Sequence, residues 1–137
     1  MKQRIAVEQL KELTGLQQEK LRELYSPKEG DWFYRSTDGE INFYGGVMYH
    51  DDSGVELFEP EKIDLPLLSI GQMIEIIESH YGGRLGSWNK QDNGQLLSTY
   101  FVDVISGSLS HRSETLYTGR GHQEFSDALW AMIKKIL

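Results

Sequence analysis

Residues 69–94 read SIGQMIEIIESHYGGRLGSWNKQDNG, and this stretch decides the fold class. Ile70, Met73, Ile74, Ile77 and Tyr81 recur at i, i+3, i+4, i+7 and i+11, which lays one apolar stripe along a helix. Ser69 before the stripe and Gln72 three residues later form a capping box, in which each side chain satisfies the other's free backbone N–H. Gly82-Gly83 then closes the helix, since glycine takes the left-handed cap conformation without a Cβ penalty. Farther on, Asn93-Gly94 stands between apolar runs at 85–89 and 95–105. Asn-Gly suits the two positive-φ positions of a tight hairpin. A helix followed by an antiparallel hairpin points to α+β rather than an alternating parallel sheet.

The flanks extend the pattern in both directions. Val7, Leu10 and Leu13 have helical spacing, and Thr14 with Gln17 forms a second capping box. A helix over about 15–25 then places Leu21, Leu24 and Tyr25 on one face and stops at Ser26-Pro27, because the residue before proline avoids helical geometry. Trp32-Phe33-Tyr34 and Ile41–Tyr44 read as strands joined by Thr37-Asp38-Gly39-Glu40. Gly45-Gly46 marks a bend, and Val47–His50 and Val55–Phe58 flank a hairpin loop at Asp51-Asp52-Ser53-Gly54. Leu96, Leu97, Tyr100, Phe101, Val102, Val104 and Ile105 put apolar groups on both faces, as in a central strand. Ser106–Gly121 reads as a polar loop with one short strand candidate at Thr115-Leu116-Tyr117. A last helix over about 123–136 buries Phe125, Leu129, Met132, Ile133 and Ile136. The expectation is an α+β fold of antiparallel meander and hairpins packed with about four helices, two N-terminal, one central and one C-terminal, in one domain spanning 1–137.

Composition narrows the function classes. With no cysteine, disulfides, thiolate metal sites and thiol catalysis are excluded, and the cytoplasm is favoured. Met1–Glu8 has basic residues with no apolar run behind them, which is not a signal peptide. No stretch approaches the roughly 18 apolar residues of a membrane span. A formal charge of −7 argues against general duplex DNA binding, which works by neutralising phosphates. A solvated surface accounts for the acidity, with mimicry of nucleic acid as the sharper alternative.

No catalytic residue, metal site or cofactor stands out. His50, His80, His111 and His122 lack zinc-ligand spacing, and Asp51-Asp52-Ser53-Gly54 lacks the bidentate glutamate of a calcium loop. His80 falls in the last turn of its helix, where it complements the dipole. Gly82–Gly86 follows a helix instead of opening one, so it is no phosphate cradle. Binding candidates remain. Arg112, Arg120, His111 and His122 in the 106–122 segment, with Arg84, could hold an anion. Acid–base work on an ester by His111 or His122 is a weaker reading. Trp130, beside the buried stripe of the last helix, is expected to be partly exposed and so a partner anchor. Trp32 and Trp88 read as core or half-buried.

Four segments taken together carry a resemblance: Leu13-Thr14 with Gln17–Tyr25, Gly30-Asp31-Trp32-Phe33-Tyr34, Leu65–Glu75, and Asp127-Ala128-Leu129-Trp130 to Lys134. In order and spacing they resemble a group of small, functionally unassigned proteins encoded by phages and prophages of Gram-positive bacteria. Residues 89–121 and 45–54 lie outside it. The resemblance implies origin and a host-cytoplasmic setting, and it carries no catalytic residues. The expectation is a non-enzymatic accessory protein that binds a host protein, with inhibition of an antiviral defence system, anti-CRISPR action included, as one instance. The alternative is a nucleotide-sequestering protein using Arg84, Arg112 or Arg120, its oligomer pooling basic groups. A hydrolase ranks third.

Overall fold

The computed structural model describes residues 2–50, 54–57, 59–106, 110–120 and 124–137, and at 47–50, 55–57, 104–106, 110–112 and 120 only the backbone. The chain separates into two compact units, one of residues 6–68 and one of 1–5 with 69–137.

In the first unit, α1 (Val7–Lys11) is followed by α2 (Gly15–Leu24), restarted by the Thr14 capping box. Thr14 Oγ1 accepts from the Gln17 N–H at 3.2 Å and Gln17 Oε1 from the Thr14 N–H at 2.9 Å. Strands β1 (Trp32–Arg35) and β2 (Glu40–Phe43) form a hairpin, then β3 (Val47–His50) pairs with β4 (Gly54–Leu57). Short β5 (Leu65–Pro66) joins the other edge of β1, giving an antiparallel order β2-β1-β5. Leu10, Leu13, Leu21, Phe33, Leu65, Leu67 and Leu68 are buried here.

The second unit builds on α3 (Ile70–Tyr81), whose Ser69–Gln72 box closes at 3.3 and 2.9 Å. Gly82 caps it with φ 68°. Strands β6 (Gly83–Asp92), β7 (Gln95–Ser106) and β8 (Ser110–Arg120) form an antiparallel meander with β7 in the centre. Asn93 and Gly94 turn between β6 and β7 with φ 50° and 78°, as a tight hairpin requires. Helix α4 (Phe125–Ile136) packs on α3 and β8. The N-terminal residues belong to this unit as well. Arg4 bridges to Ser69, the Gln3 carbonyl accepts from Ile70 at 3.0 Å, and Lys2 Nζ pairs with Asp127 at 2.9 Å.

The fold is α+β, with four helices and two three-stranded antiparallel sheets among the described residues. No described helix is long and apolar enough to cross a membrane.

Two expectations are corrected. The supposed loop at 106–122 is mostly strand, since β8 pairs with β7 from Ser110 to Arg120. A backbone ladder does not depend on side-chain polarity, so an edge strand can be polar nearly throughout. Its one buried apolar residue, Leu116, is the extra residue of a bulge opposite Tyr100/Phe101. The Leu116 carbonyl accepts from Lys135 Nζ of α4. The second correction is Trp130, which is only 2% exposed and belongs to the buried set with Leu129, Met132 and Ile133. Ser126 and Ala128 are buried too, so α4 hides more than one stripe.

Candidate functional site

The basic residues singled out from the sequence lie along the meander. Arg84 is exposed on β6, level with Asp103. By backbone register Arg112 stands opposite Val104, His111 opposite Ile105 and Arg120 opposite Leu97. Asp103 and Leu97 are six residues apart on β7, about 20 Å at strand rise, so Arg84 and Arg120 stand at separate ends of the sheet. The side chains of His111, Arg112 and Arg120, all of His122, and the 51–53 loop fall outside the described residues. Trp130 is sealed away from any partner, and its indole Nε1 is buried without a hydrogen-bond acceptor.

The first unit carries an exposed aromatic surface, and in the second Trp88 is 51% exposed, so the expectation that Trp32 and Trp88 are core or half-buried is corrected as well. Strand alternation places Trp32 and Tyr34 on one face of β1, and the register sets them opposite Phe43 and Ile41 of β2. Trp32 is 38% exposed, Ile41 51% and Phe43 39%, and Tyr34 is half-buried. Trp32 and Phe43 meet edge to face with ring centroids 5.2 Å apart, a favourable aromatic geometry. The other face is closed: Phe33 is fully buried, Asn42 nearly so, and the Arg35 guanidinium lies 5.5 Å from the Phe33 ring centre. The aromatic strand signal was legible, but its face was not. β1 carries aromatic residues on both faces, and the alternation of β2, with Ile41 and Phe43 on one face and Glu40 and Asn42 on the other, points to the face that the structure leaves exposed.

Charge divides sharply between the units. Residues 6–68 hold fourteen acidic and six basic residues, a formal −8, whereas 1–5 with 69–137 hold seven acidic and eight basic, +1. The chain's whole acidic excess therefore sits in the unit bearing the aromatic face. Asp31, Asp38 and Glu40 flank that face in the chain.

The same unit contains an open cleft of 680 Å³ between the end of α2 and the 60–64 segment. Its deepest charged group is Asp64, 4% exposed. Asp64 Oδ2 accepts from the Glu61 N–H at 2.8 Å and from Arg35 Nε and Nη2 at 3.4 Å each, while Oδ1 is buried with no hydrogen-bond partner. Arg22, also lining the cleft, donates through Nη2 to the Ile63 carbonyl at 2.7 Å, and its buried Nε has no acceptor. Nothing in the sequence linked these positions, which lie some forty residues apart.

Reactive chemistry is thinly represented among the described residues. No three His, Asp or Glu side chains cluster as metal ligands. Ser113 Oγ donates to Asp103 Oδ1 on the meander, with no histidine in that pair. Burial, reinforced by Tyr117, raises the Tyr100 phenol above its ordinary value, and burial with Glu114 nearby does the same to Tyr81. Both remain neutral at pH 7, as hydrogen-bonding groups. A comparison with family models, curated proteins and solved structures finds no match to this chain.

Proposed function

We propose that this chain is a non-enzymatic accessory protein that binds a host protein, engaging it through the Trp32–Tyr34–Ile41–Phe43 face of the first unit. The observation that carries the reading is the coincidence of this exposed aromatic face with a unit of formal charge −8. Contiguous exposed apolar patches mark interaction sites, and tryptophan and tyrosine dominate the energetic centres of interfaces. The charge selects the partner's character. Two copies of a unit this acidic repel one another, whereas a surface with an apolar centre and a basic rim is attracted. The resemblance of the four segments, in order and spacing, to phage and prophage proteins supports the setting, the cytoplasm of an infected cell, in which interference with a host protein such as a defence component is one purpose such binding would serve.

The test is quantitative capture from host lysate by the full-length chain and by Trp32→Ala, Phe43→Ala and Trp88→Ala. A partner bound through the proposed face loses affinity tenfold or more with the first two variants and is unaffected by Trp88→Ala, which alters the other unit. A partner retained by both face variants, or lost with Trp88→Ala alone, overturns the assignment.

A further inference from the structure

We infer that this chain self-associates by pairing the outer edge of β6 with the same edge of a second copy, antiparallel and centred on Trp88. The contact lies in the second unit and stands without the aromatic face of the first.

β6 is an edge strand, since the meander runs β6-β7-β8. A two-residue hairpin makes its flanking residues a hydrogen-bonded pair, here Asp92 and Gln95. Asp92 and every second residue back to Arg84 therefore direct their backbone groups to β7, whereas Leu85, Ser87, Asn89 and Gln91 direct theirs outward. Leu85 bears this out, because its N–H donates to Glu78 Oε2 of α3 at 3.1 Å. That guard stops at Leu85. Among the described residues nothing caps the outward backbone groups of Ser87, Asn89 and Gln91, and residues 87–92 are exposed. Such an edge is a template for strand addition, which proteins blunt with prolines, bulges or short strands. The opposite edge, β8, is interrupted by its bulge at Leu116, whose carbonyl accepts from Lys135 Nζ. β6 runs ten residues in regular register without a proline.

Parity and charge select one register. Outward residues must face outward residues, so the two-fold axis passes through a residue and not between two. Two registers give the longest overlap, centred on Ser87 or on Trp88. Centring on Ser87 sets Arg84 opposite Lys90 of the second copy at both ends, and like charges directly opposite destabilise a strand pair. Centring on Trp88 sets Arg84 opposite Asp92 at both ends and the two Trp88 side chains, each 51% exposed, opposite one another. In that register Ser87 exchanges both backbone hydrogen bonds with Asn89 of the second copy. The Gln91 N–H donates to the Leu85 carbonyl, which leaves the Leu85 N–H to Glu78. The strand is thus complementary to itself in charge, aromatic contact and backbone. It also belongs to the unit of formal +1, outside the acidic excess that sets first units against each other.

Sedimentation velocity of the full-length chain at physiological salt, over about 1 μM to 1 mM, tests the contact. A reversible monomer–dimer equilibrium is expected. Asn89→Pro removes an outward N–H and leaves every donor of the β6–β7 ladder in place, so it is expected to keep native circular dichroism and weaken the dimer tenfold or more. Arg84→Glu and Asp92→Lys each set like charges opposite one another and are each expected to weaken self-association tenfold or more. Mixed in equal amounts, these two variants are expected to recover a dimer, because every introduced charge then faces its opposite on the other chain. Damage within either chain would not be repaired by mixing. A chain that stays monomeric throughout overturns the inference, as does a dimer that survives Asn89→Pro or a mixture that fails to recover. Trp32→Ala is expected to leave the dimer unchanged, so failure here is distinguishable from failure of the aromatic face. A dimer lost with Trp32→Ala and kept with Asn89→Pro places the contact in the first unit and overturns the assignment to β6.

Discussion

Replacing Gly83 by alanine, alongside the same change at Gly82, separates two reasons for a glycine at adjacent positions. Gly82 needs its φ of 68°, and a Cβ there meets nothing within 4 Å. An L-residue in that conformation costs roughly 1–2 kcal/mol, and alanine recovers about 0.4–1 kcal/mol by restricting the unfolded chain. The net loss for Gly82→Ala is therefore about 1 kcal/mol. Gly83 begins β6, and its problem is space. A Cβ would stand 2.1 Å from the Asp103 carbonyl oxygen and 2.8 Å from Val102 Cγ1, against 3.4 Å or more in ordinary contact. The oxygen belongs to backbone paired in the β6–β7 ladder, so it cannot swing aside as a side-chain tip would. The strands must part by about 1.3 Å or surrender pairing, which puts Gly83→Ala at the upper end of overpacking costs, about 3 kcal/mol. In urea, with a slope of about 1–3 kcal/mol per molar, the midpoint falls by about 1–3 M for Gly83→Ala and by less than about 1 M for Gly82→Ala. Far-UV circular dichroism follows the transition, and the buried Trp130 reports on the same unit by fluorescence. Equal losses at the two positions, or a smaller one at Gly83, would refute the close approach of β6 to β7 at Asp103.

Three further outcomes are expected. Leu129→Ala and Ile133→Ala, both fully buried in α4, should each lose about 2–5 kcal/mol in the same urea assay. Values below about 0.5 kcal/mol at both would show that this face is not core. Thr14→Ala and Ser69→Ala each break a capping box and should each lose about 1 kcal/mol, whereas Leu16→Ala, at a position 79% exposed, should change little. Tyr100 should titrate above the ordinary 10.0, from burial first and Tyr117 second, seen as the ultraviolet difference between the protein and its Tyr100→Phe variant. Because the folded state holds that proton more tightly than the unfolded one, the associated stability is complete below pH 10 and is lost as the pH climbs through the raised value. A difference midpoint at or below 10 would contradict it.

Sequence was a good guide wherever a feature is local. The Ser69–Gln72 box, the stripe of α3 and the Gly82 cap lie within fourteen residues, and each depends only on near neighbours. Asn93-Gly94 was equally readable, because a two-residue hairpin demands positive φ at both positions. Features set by distant chain were not. β8 is held by its ladder to β7, and Ser110–Arg120 shows no apolar alternation to announce it. Trp130 lies beside an amphipathic stripe, where exposure is the natural expectation, but α4 packs against both α3 and β8 and that flank is covered too. The cleft joins α2 to the segment before β5, and no local pattern brings Asp64 toward Glu19 and Glu23.

The division of charge bears on how binding through the first unit would proceed. A formal −7 spread evenly over 137 residues is a mild field, but −8 gathered in residues 6–68 is a directional one. Such a field acts before contact, raising the rate of encounter with a basic surface, and salt weakens it over a screening length of about 8 Å at physiological ionic strength. The aromatic face would act after contact, because the area shared by Trp32, Ile41 and Phe43 would be desolvated only once the surfaces met. The two contributions should therefore appear in different rate constants: salt should slow association, while truncation at Trp32 should hasten dissociation and leave the salt dependence of association in place. A partner that lacked basic residues would show the second effect without the first, which makes the salt dependence of association the direct reading of whether the acidity of this unit serves recognition or only solvation.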